Sequence, residues 1–363
     1  MRKFISRAAA LLLAGVMTAA VAGCGKNSDS KAKDTAKKWT ELDQTQITEA
    51  MGLGWNLGNQ LEASSGGLPS ETCWGNPEVT KELIDTVKAQ GFKTVRIPVS
   101  YLDMIDTDWL DRVQEVVDYV VNNDMFAIVN MHGDGYYTVD HSWLLCAEDD
   151  DKQTEIKDKY GKVWTQIADR FKDYDQHLIF ESMNEEFNND YGKPDEKAYD
   201  NINAYNQIFV DSVRATGSNN EKRWLLLPGW NTNIDYTAGD DYNFKIPTDK
   251  GCKADGKRIM ISVHYYDPFN FTIDENKTAK TQWGKYAVKN YDNWGQEDHV
   301  DSQMALLNKK FVSQGYPVVI GEFGAQDKTE KFADYNEFRR YWSEYLIKAA
   351  KKNGVVCVYW DNG

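Results

Sequence analysis

The sequence predicts an α/β protein, and three observations favour a (β/α)8 barrel, also called a TIM barrel. Eight short apolar runs alternate with stretches of helical period from residue 50 onward. The runs are almost continuously apolar, which is typical of parallel strands buried on both faces. The length of 363 residues fits one barrel with insertions, since such barrels typically take about 250 residues. A doubly wound open sheet is the alternative, which the strand number and the lack of a nucleotide fingerprint disfavour.

The predicted strands cover residues 53–57, 92–99, 125–131, 178–182, 224–227, 258–265, 317–321 and 355–359. The first predicted helix begins at Asn76-Pro77-Glu78, an N-cap followed by a proline and an acidic first turn, and ends at Gly91. Later helical stripes lie within residues 110–120, 160–171, 202–213, 304–311 and 338–346. A long aromatic insertion, residues 267–300, precedes the helix at 304. We expect about half of its aromatic side chains to pack inside the loop and the rest to line a cleft.

The chain stops at Asp361-Asn362-Gly363, directly after the eighth predicted strand. A complete barrel follows that strand with one more helix. We therefore expect residues 41–363 to be a barrel truncated after its eighth strand, with the C-terminal helix missing. The outer face of residues 355–359 would then be exposed to solvent.

The N-terminus predicts an export signal. Basic residues precede an apolar stretch, 8–22, that is too short for a comfortable membrane span. It ends in Val21-Ala22-Gly23-Cys24, which resembles the lipobox of bacterial lipoproteins; the resemblance implies that Cys24 is lipidated and becomes the new N-terminus. An ordinary cleaved signal peptide is the alternative. We expect residues 1–23 to be removed, 24–40 to form a flexible tether, and the protein to be anchored to the cell envelope or secreted.

Four further cysteines can form disulfides outside the cytoplasm, although the sequence does not give their pairing. They are Cys73, Cys146, Cys252 and Cys357. No Cys-x-x-Cys motif occurs, which argues against a structural zinc or a redox site. The sequence also has no P-loop, no His-Glu-x-x-His and no Gly-x-Ser-x-Gly. We therefore expect no cofactor and no metal.

The composition favours a neutral substrate. The chain carries 42 basic and 56 acidic side chains, a formal net charge of −14. This balance argues against nucleic acid, whose phosphates bind Lys and Arg, and against other polyanions. Aromatic residues make up 13% of the chain, with 12 Trp and 20 Tyr, which exceeds the usual need of a core. Trp and Tyr stack on sugar rings, so the sequence favours a carbohydrate ligand. We also expect the protein to be a monomer.

Polar residues stand where the predicted strands end, and this is where barrel enzymes place their active sites. In chain order they are Asn56, Asn59, Arg96, His132, Asn184, Glu185, His264, Tyr266, Glu322 and Trp360. Two of them, Glu185 and Glu322, are carboxylates on strands that lie across one barrel mouth. Two carboxylates facing each other over a pocket are what glycoside hydrolysis requires.

These stretches resemble glycoside hydrolase family 5, the cellulase family of retaining (β/α)8 enzymes. Seven motifs match in the family's order, from about residue 50 to the end of the chain. They are Gly54-Trp-Asn-Leu-Gly-Asn59, Thr94-Val-Arg-Ile-Pro-Val99, Asn130-Met-His132, Phe180-Glu-Ser-Met-Asn-Glu185, Ser262-Val-His-Tyr-Tyr266, Ile320-Gly-Glu-Phe-Gly324 and Val358-Tyr-Trp360. Single motifs are moderately specific, and seven in order are highly specific.

The resemblance implies that Glu185 is the general acid/base and Glu322 the nucleophile. It implies that Asn184 holds the sugar 2-hydroxyl and that Arg96 keeps the nucleophile ionised, because an opposite charge favours the charged form. The charge of Glu322 would in turn raise the pKa of Glu185, so that this acid holds a proton near neutral pH.

The remaining strand-end residues would bind or orient. The resemblance implies that His264 and Tyr266 orient the glutamates, that His132 contacts the sugar and that Trp360 forms its stacking floor. Asn56 and Asn59 complete the predicted substrate-binding set. Two positions depart from the family pattern: Glu186 stands where many members have Pro, and Gly133 where many have a second His.

The leading hypothesis is a retaining endo-β-1,4-glucanase that hydrolyses internal bonds of cellulose-type glucans. Within the same class, xyloglucan, mixed-linkage glucan, mannan and xylan remain open as substrates, because only loop residues discriminate between them. From a different class, the chain could be a lipoprotein that captures glycan without cleaving it. That alternative predicts the loss of a glutamate at position 185 or 322, and both are present.

Overall fold

The computed structural model describes residues 38–362 apart from 106, 107, 190, 191, 277, 330, 331 and 333. The described residues belong to one compact unit. The predicted signal peptide, Cys24 and most of the predicted tether lie outside them. In this part of the chain, every helix is too short or too polar to span a membrane.

Eight parallel strands close into a barrel, which confirms the predicted fold class. The strands of the chain are β1 (Leu53–Asn56), β2 (Ser64–Ser65), β3 (Leu68–Pro69), β4 (Thr94–Ile97), β5 (Phe126–Asn130), β6 (Leu178–Glu181), β7 (Leu225–Pro228), β8 (Ile259–Tyr265), β9 (Val318–Phe323) and β10 (Val355–Tyr359). Around the barrel the order is β1-β10-β9-β8-β7-β6-β5-β4, while β2 and β3 form a separate hairpin in the loop after β1.

Closure depends on β1, which pairs with β10 on one side and β4 on the other. Gly54 lies opposite both Val358 and Thr94. A Cβ atom at position 54 would lie 2.9 Å from Cγ2 of Val358, so only glycine fits between the two neighbouring side chains. The first sequence motif therefore begins with a residue that the barrel seam requires.

The helices are α1 (Gln44–Met51), α2 (Lys81–Ala89), α3 (Trp109–Val121), α4 (Asp150–Phe171), α5 (Glu196–Ala215), α6 (Ile234–Ala238), α7 (Phe269–Thr272), α8 (Glu297–Lys310) and α9 (Tyr335–Lys352). The prediction that the first barrel helix starts at Asn76 is wrong. That helix, α2, begins after Thr80, whose side chain accepts the Leu83 amide. Asn76 instead donates its amide to the carbonyls of Gly58, Asn59 and Asn362 at the barrel mouth.

Helix α1 covers the amino-terminal end of the barrel and was not predicted. Asp43 and Gln46 form a reciprocal capping box at its start. Its two buried residues, Ile47 and Met51, join the apolar cluster that fills the barrel below the site, with Phe126, Ile128, Ile179, Trp224, Leu226, Met260, Val319, Val356 and Val358. An eight-residue helix with two apolar positions carries too little periodicity for recognition from sequence.

The end of the chain differs from the expectation of an exposed strand. Val355 and Cys357 are only 5% and 4% exposed, so the prediction that the outer face of β10 is bare is wrong. A groove of about 670 Å³ runs beside it, with Leu53, Ile347 and Val355 in its wall.

The insertion between β8 and α8 divides its aromatic side chains as predicted into buried and exposed groups. Phe271 and Trp283 are buried, as is Tyr265 at the end of β8, whereas Phe269, Tyr286, Tyr291 and Trp294 are exposed. The four cysteines of the described residues are free, and Cys146 and Cys357 are buried. The disulfides that the sequence left open are therefore not formed.

Candidate active site

The predicted catalytic residues meet at the carboxyl ends of the barrel strands. Arg96 lies in β4, His264 in β8 and Glu322 in β9, while Glu185 follows β6 by four residues. Parallel strands deliver these distant residues to one edge because their carboxyl ends all face the same way. The structure thus brings together residues that are as much as 226 positions apart in the chain.

The two glutamates approach each other closely across the barrel mouth. Ligating atoms of Glu185, His264 and Glu322 all lie within 4.8 Å of one another. Retaining glycosidases hold their carboxyl groups about 5–5.5 Å apart, whereas inverting enzymes need about 6.5–9.5 Å to admit a water molecule. The side chain of Glu185 is 25% exposed and that of Glu322 is 8% exposed, so both reach the cleft.

Two donors hold the carboxylate of Glu322. Arg96 Nη1 donates to Oε1 at 2.8 Å, and the Tyr266 hydroxyl donates to Oε2 at 3.0 Å. Burial and the charges of Glu322 and Glu185 raise the pKa of Tyr266 well above its usual value. Tyr266 therefore keeps its hydroxyl proton throughout the working pH range of a hydrolase, and so it remains a hydrogen-bond donor to Glu322.

Arg96 is fully buried and makes four side-chain hydrogen bonds. Its Nε donates to Glu181 at 2.6 Å, its Nη2 to Asn184 at 2.7 Å and its Nη1 also to Asn56 at 3.1 Å. Burial opposes the charge of Arg96, but Glu181 and Glu322 outweigh it and hold its pKa above the usual value. Arg96 is therefore a fixed cation behind the Glu322 carboxylate.

Asn56 does not present its amide to a ligand. It is completely buried, and its Nδ2 donates to the Gly321 carbonyl at 2.8 Å while its Oδ1 accepts from Arg96. Asn56, which the sequence placed in the substrate-binding set, is thus buried behind Arg96, and Arg96 contacts Glu322, as the resemblance implies. Arg96 and Tyr266 fix the Glu322 carboxylate, and Asn56 in turn fixes Arg96.

Glu185 is held by His264 and by Tyr136. His264 Nδ1 lies 2.6 Å from Oε1, and the Tyr136 hydroxyl donates to Oε2 at 3.3 Å. Burial raises the pKa of Glu185, but the hydrogen bond and charge of His264, together with Arg96, outweigh it and lower the pKa below 4.5. The net shift of the Glu185 pKa is therefore opposite to the expected one. The positively charged neighbours dominate.

His132 and Trp360 form a flat wall beside the carboxylates. Their rings are nearly parallel, with an interplanar angle of 16° and centroids 6.1 Å apart. Burial, Arg96 and His264 lower the pKa of His132 well below 6.5, so its ring is neutral. Asn59 lies farther out and is half-buried, and its backbone amide donates to the Glu62 carboxylate. These positions suit the contacts that the sequence predicted for His132 and Trp360.

Sequence reasoning missed three residues of the site. Tyr136 accepts a hydrogen bond from Asn184 Nδ2 at 2.6 Å and so contacts both members of the Asn-Glu pair. Glu181 is buried inside the barrel against Arg96, and Ser262 donates to it at 2.6 Å. Glu62 accepts the backbone amides of the turn at Asn59. A charged residue inside an apolar strand was a readable signal for Glu181, whereas Tyr136 and Glu62 lie in loops without a pattern.

Among the described residues, Glu185, His264 and Glu322 form the one group of three side chains arranged closely enough to hold a metal ion. Their ligating atoms already hydrogen-bond to one another, to Tyr266 and to Arg96. This pattern is that of an acid, a base and their orienting donors, which is the chemistry of glycoside hydrolysis.

Residues 57–363 match the family model described as cellulase, glycosyl hydrolase family 5. The chain belongs to glycosyl hydrolase family 5. The match spans most of the barrel and includes both glutamates, so the resemblance seen in the sequence motifs is confirmed.

Curated family members cover the chain almost entirely. Endoglucanase A of Paenibacillus barcinonensis is 50% identical over 369 residues, which cover 98% of this chain and 90% of that protein. Endoglucanase A of Clostridium longisporum is 36% identical. The match covers 88% of this chain and 59% of that longer protein.

Solved structures of family-5 enzymes resemble the fold closely. A family 5 xyloglucanase from Paenibacillus pabuli superposes with a TM-score of 0.85 at 53% identity, covering 88% of this chain and 91% of that one. A broad-specificity endoglucanase from Bacteroides salanitronis gives a TM-score of 0.82 at 39% identity, with 89% and 87% covered.

Proposed function

We propose that the protein is a retaining endo-β-1,4-glucanase that cleaves internal bonds of β-1,4-glucans by double displacement. The observation that carries the proposal is the close approach of Glu185 and Glu322, because one oxygen of each lies within 4.8 Å of the other across the barrel mouth. Endoglucanases among the relatives support the same activity.

In the first step Glu322 attacks the anomeric carbon, while Glu185 donates a proton to the glycosidic oxygen that leaves. The product is a glycosyl ester of Glu322. In the second step Glu185, now a carboxylate, accepts a proton from water, and this water releases the sugar with its original configuration. Arg96 and Tyr266 hold the Glu322 carboxylate in the geometry of attack.

Asn184 is placed to bind the 2-hydroxyl of the reacting sugar. Its Oδ1 accepts from Arg96 and its Nδ2 donates to Tyr136, so the amide orientation is fixed from both ends. Because hydrogen bonds to the 2-hydroxyl strengthen in the transition state, a fixed amide contributes more than a mobile one.

The second candidate substrate is xyloglucan. The xyloglucanase from Paenibacillus pabuli is 53% identical to this chain, and a Bacteroides ovatus xyloglucanase in complex with a heptasaccharide is 33% identical. A reducing-sugar assay over carboxymethyl cellulose, xyloglucan, mixed-linkage glucan, mannan and xylan decides between the substrates. Activity on the glucans with none on mannan or xylan is expected, and activity on mannan or xylan alone would overturn the proposal.

The alternative of a glycan-binding protein without activity is disfavoured. Both glutamates are present and each is oriented by donors, Glu322 by Arg96 and Tyr266 and Glu185 by His264. A pure binding protein has no use for a buried cation behind one carboxylate, because such a group costs desolvation.

We also propose that the protein is exported and attached to the cell envelope as a monomer through lipidated Cys24. The lipobox-like Val21-Ala22-Gly23-Cys24 supports this. One acyl chain gives marginal membrane attachment, and additional chains make it stable. The Cys24→Ser variant is expected to leave the membrane fraction or to remain an unprocessed precursor. Unchanged fractionation and unchanged mass would contradict the anchoring.

A further inference from the structure

Glu186 is a buried carboxylic acid beside the active site that the double-displacement mechanism does not use. It directly follows Glu185 and is only 1% exposed. Its Oε2 has no hydrogen-bond partner among the described residues. A buried acid without a partner for one oxygen lowers the stability of a fold, which indicates that the residue serves another purpose.

The Glu186 carboxyl packs against the turn that carries Tyr136. A Cβ atom at Gly135 would lie 1.6 Å from Oε1 of Glu186 and 2.1 Å from its Cδ, so the carboxyl group occupies the space of a side chain at position 135. The turn, Gly133–Gly135, immediately precedes Tyr136, whose amide donates to the Gly133 carbonyl at 3.2 Å.

Tyr136 in turn contacts the Asn184–Glu185 pair directly. These contacts connect Glu186 to the catalytic residue by two routes. Glu186 follows Glu185 directly in the chain, and it also packs against Gly135, whose neighbour Tyr136 donates a hydrogen bond to Glu185. The backbone of Glu186 is fixed independently, because its carbonyl accepts the Asn231 amide at 2.8 Å and its amide donates to the Asn184 carbonyl at 3.1 Å.

We propose that Glu186 is a positioning residue, which holds the turn at Gly135 so that Tyr136 keeps its hydrogen bonds to Asn184 and Glu185. This inference rests on the proposed glucanase function.

Glu186 acts in its neutral form. Burial, reinforced by Asp134, raises its pKa well above 4.5. The titratable groups that interact electrostatically with Glu186 are Asp134, Tyr136, Tyr137 and Cys146 in the loop after β5, Tyr160 in α4 and Tyr205 in α5. None of these groups is a cation, so none of them favours the ionised form of Glu186.

The test compares Glu186→Ala and Glu186→Gln on two substrates, carboxymethyl cellulose and an aryl cellobioside with an activated leaving group. Glu186→Ala is expected to lower kcat/KM on the polysaccharide by about 10- to 100-fold, and less on the aryl glycoside, whose departure needs no proton. The alkaline limb of the kcat/KM profile of Glu186→Ala should move to higher pH, because loss of the hydrogen bond from Tyr136 raises the pKa of Glu185. Glu186→Gln keeps a neutral group of the same shape and should retain the wild-type profile.

Three further variants separate positioning from simple destabilisation. Val163→Ala removes buried volume from α4 at a site away from the cleft and should lower Tm without changing the substrate ratio. If Glu186→Ala does not fold, Gly135→Ala perturbs the same contact from the other side and should lower the polysaccharide-to-aryl ratio. The double variant Glu186→Ala/Tyr136→Phe should lose no more activity than the larger single change, because both act through one hydroxyl.

Three outcomes would overturn the inference. They are an unchanged substrate ratio in Glu186→Ala, a shifted pH profile in Glu186→Gln, and additive losses in the double variant. Failure of the wild-type protein on both substrates is a different result, because it refutes the proposed function itself.

Discussion

Arg96 donates its Nε to Glu181 at 2.6 Å, so the cation that holds the nucleophile is itself held from behind by a second buried carboxylate. The side chains of both residues are completely buried. Arg96 is a planar fork of donors that can serve Glu181, Asn184, Asn56 and Glu322 at once, which a lysine could not do. The position of Glu322 thus depends on a residue that no substrate touches.

Removal of Glu181 should cost stability as well as activity. Glu181→Ala leaves Arg96 buried without one of its two carboxylate partners, and breaking a buried pair typically costs about 3–5 kcal/mol. Chemical denaturation measures the loss. The control is Asp85→Ala, which removes the exposed pair with Lys81 and should change the free energy of unfolding by less than about 1 kcal/mol. Equal effects of the two changes would contradict the role given to Glu181.

The two glutamates should fail in different ways. Glu322→Ala should abolish turnover of every substrate, because the covalent step disappears. Glu185→Ala should impair polysaccharides far more than activated aryl glycosides, by about 10²- to 10⁴-fold, since only the former need protonation of the leaving oxygen. Steady-state kinetics on both substrate types measure this difference.

Azide distinguishes the two assignments by stereochemistry. It should attack the glycosyl-enzyme in the Glu185 variant and give a β-azide, whereas it should replace the nucleophile in the Glu322 variant and give an α-azide. Proton NMR of the products identifies the anomer. Swapped anomers would reverse the assignment, and full activity in either variant would remove that residue from the mechanism.

The barrel was predictable because its signal is local and repeated. Each barrel strand begins and ends within two residues of its predicted limits, since buried parallel strands are apolar runs with sharp ends. The prediction at Asn76 was wrong because an asparagine side chain can cap a helix or bind other backbone groups. In the structure, its amide donates to the Asn362 carbonyl and so connects the loop after β1 to the end of the chain. The local sequence does not show whether such a side chain binds the first turn of a helix or a carbonyl that is distant in the chain.

The meeting of Glu185 and Glu322 was predictable from the sequence, whereas the direction of the Glu185 pKa shift was not. Glu185 and Glu322 lie at or near the carboxyl ends of barrel strands, so the fold alone places them at the same end of the barrel, independently of their side-chain contacts. The pKa of Glu185 depends on distances of a few ångströms to His264 and Arg96, which are set by packing across the barrel. Tyr136 was missed for the same reason, because its loop position follows from the contact between Gly135 and Glu186.

The pH profile should respond to His264. Burial raises the pKa of Glu185, and His264 and Arg96 together more than reverse this rise, with His264 the larger contributor. In His264→Ala the burial remains and the donor is lost, so the pKa of Glu185 should rise and the alkaline limb of kcat/KM should move to higher pH. Tyr265→Phe, the adjacent position on β8, is the control and should leave the limb in place. A limb that moves to lower pH, or does not move, would contradict the direction.

Glu62 should make the stability of the protein depend on pH. Its carboxylate accepts the backbone amides of Asn59 and, at 2.9 Å, of Gln60, and burial raises its pKa from 4.5 to about 7. Between these two values the folded state keeps a proton that the unfolded state releases. This contribution to stability is therefore complete below pH 4.5 and is lost as the pH rises through about 7.

Glu62→Gln keeps one of the two acceptor oxygens for the turn at Asn59, replaces the other by an amide nitrogen and removes the ionisation. At pH 8 the variant should be more stable than the wild type by roughly 1–3 kcal/mol, since each pKa unit corresponds to about 1.4 kcal/mol. Its Tm should also fall less than that of the wild type between pH 4.5 and 8. Glu49→Gln on the exposed face of α1 removes one negative charge without burial and should follow the wild-type slope. Parallel Tm curves for the wild type and Glu62→Gln would show that Glu62 ionises as readily in the folded protein as in the unfolded chain.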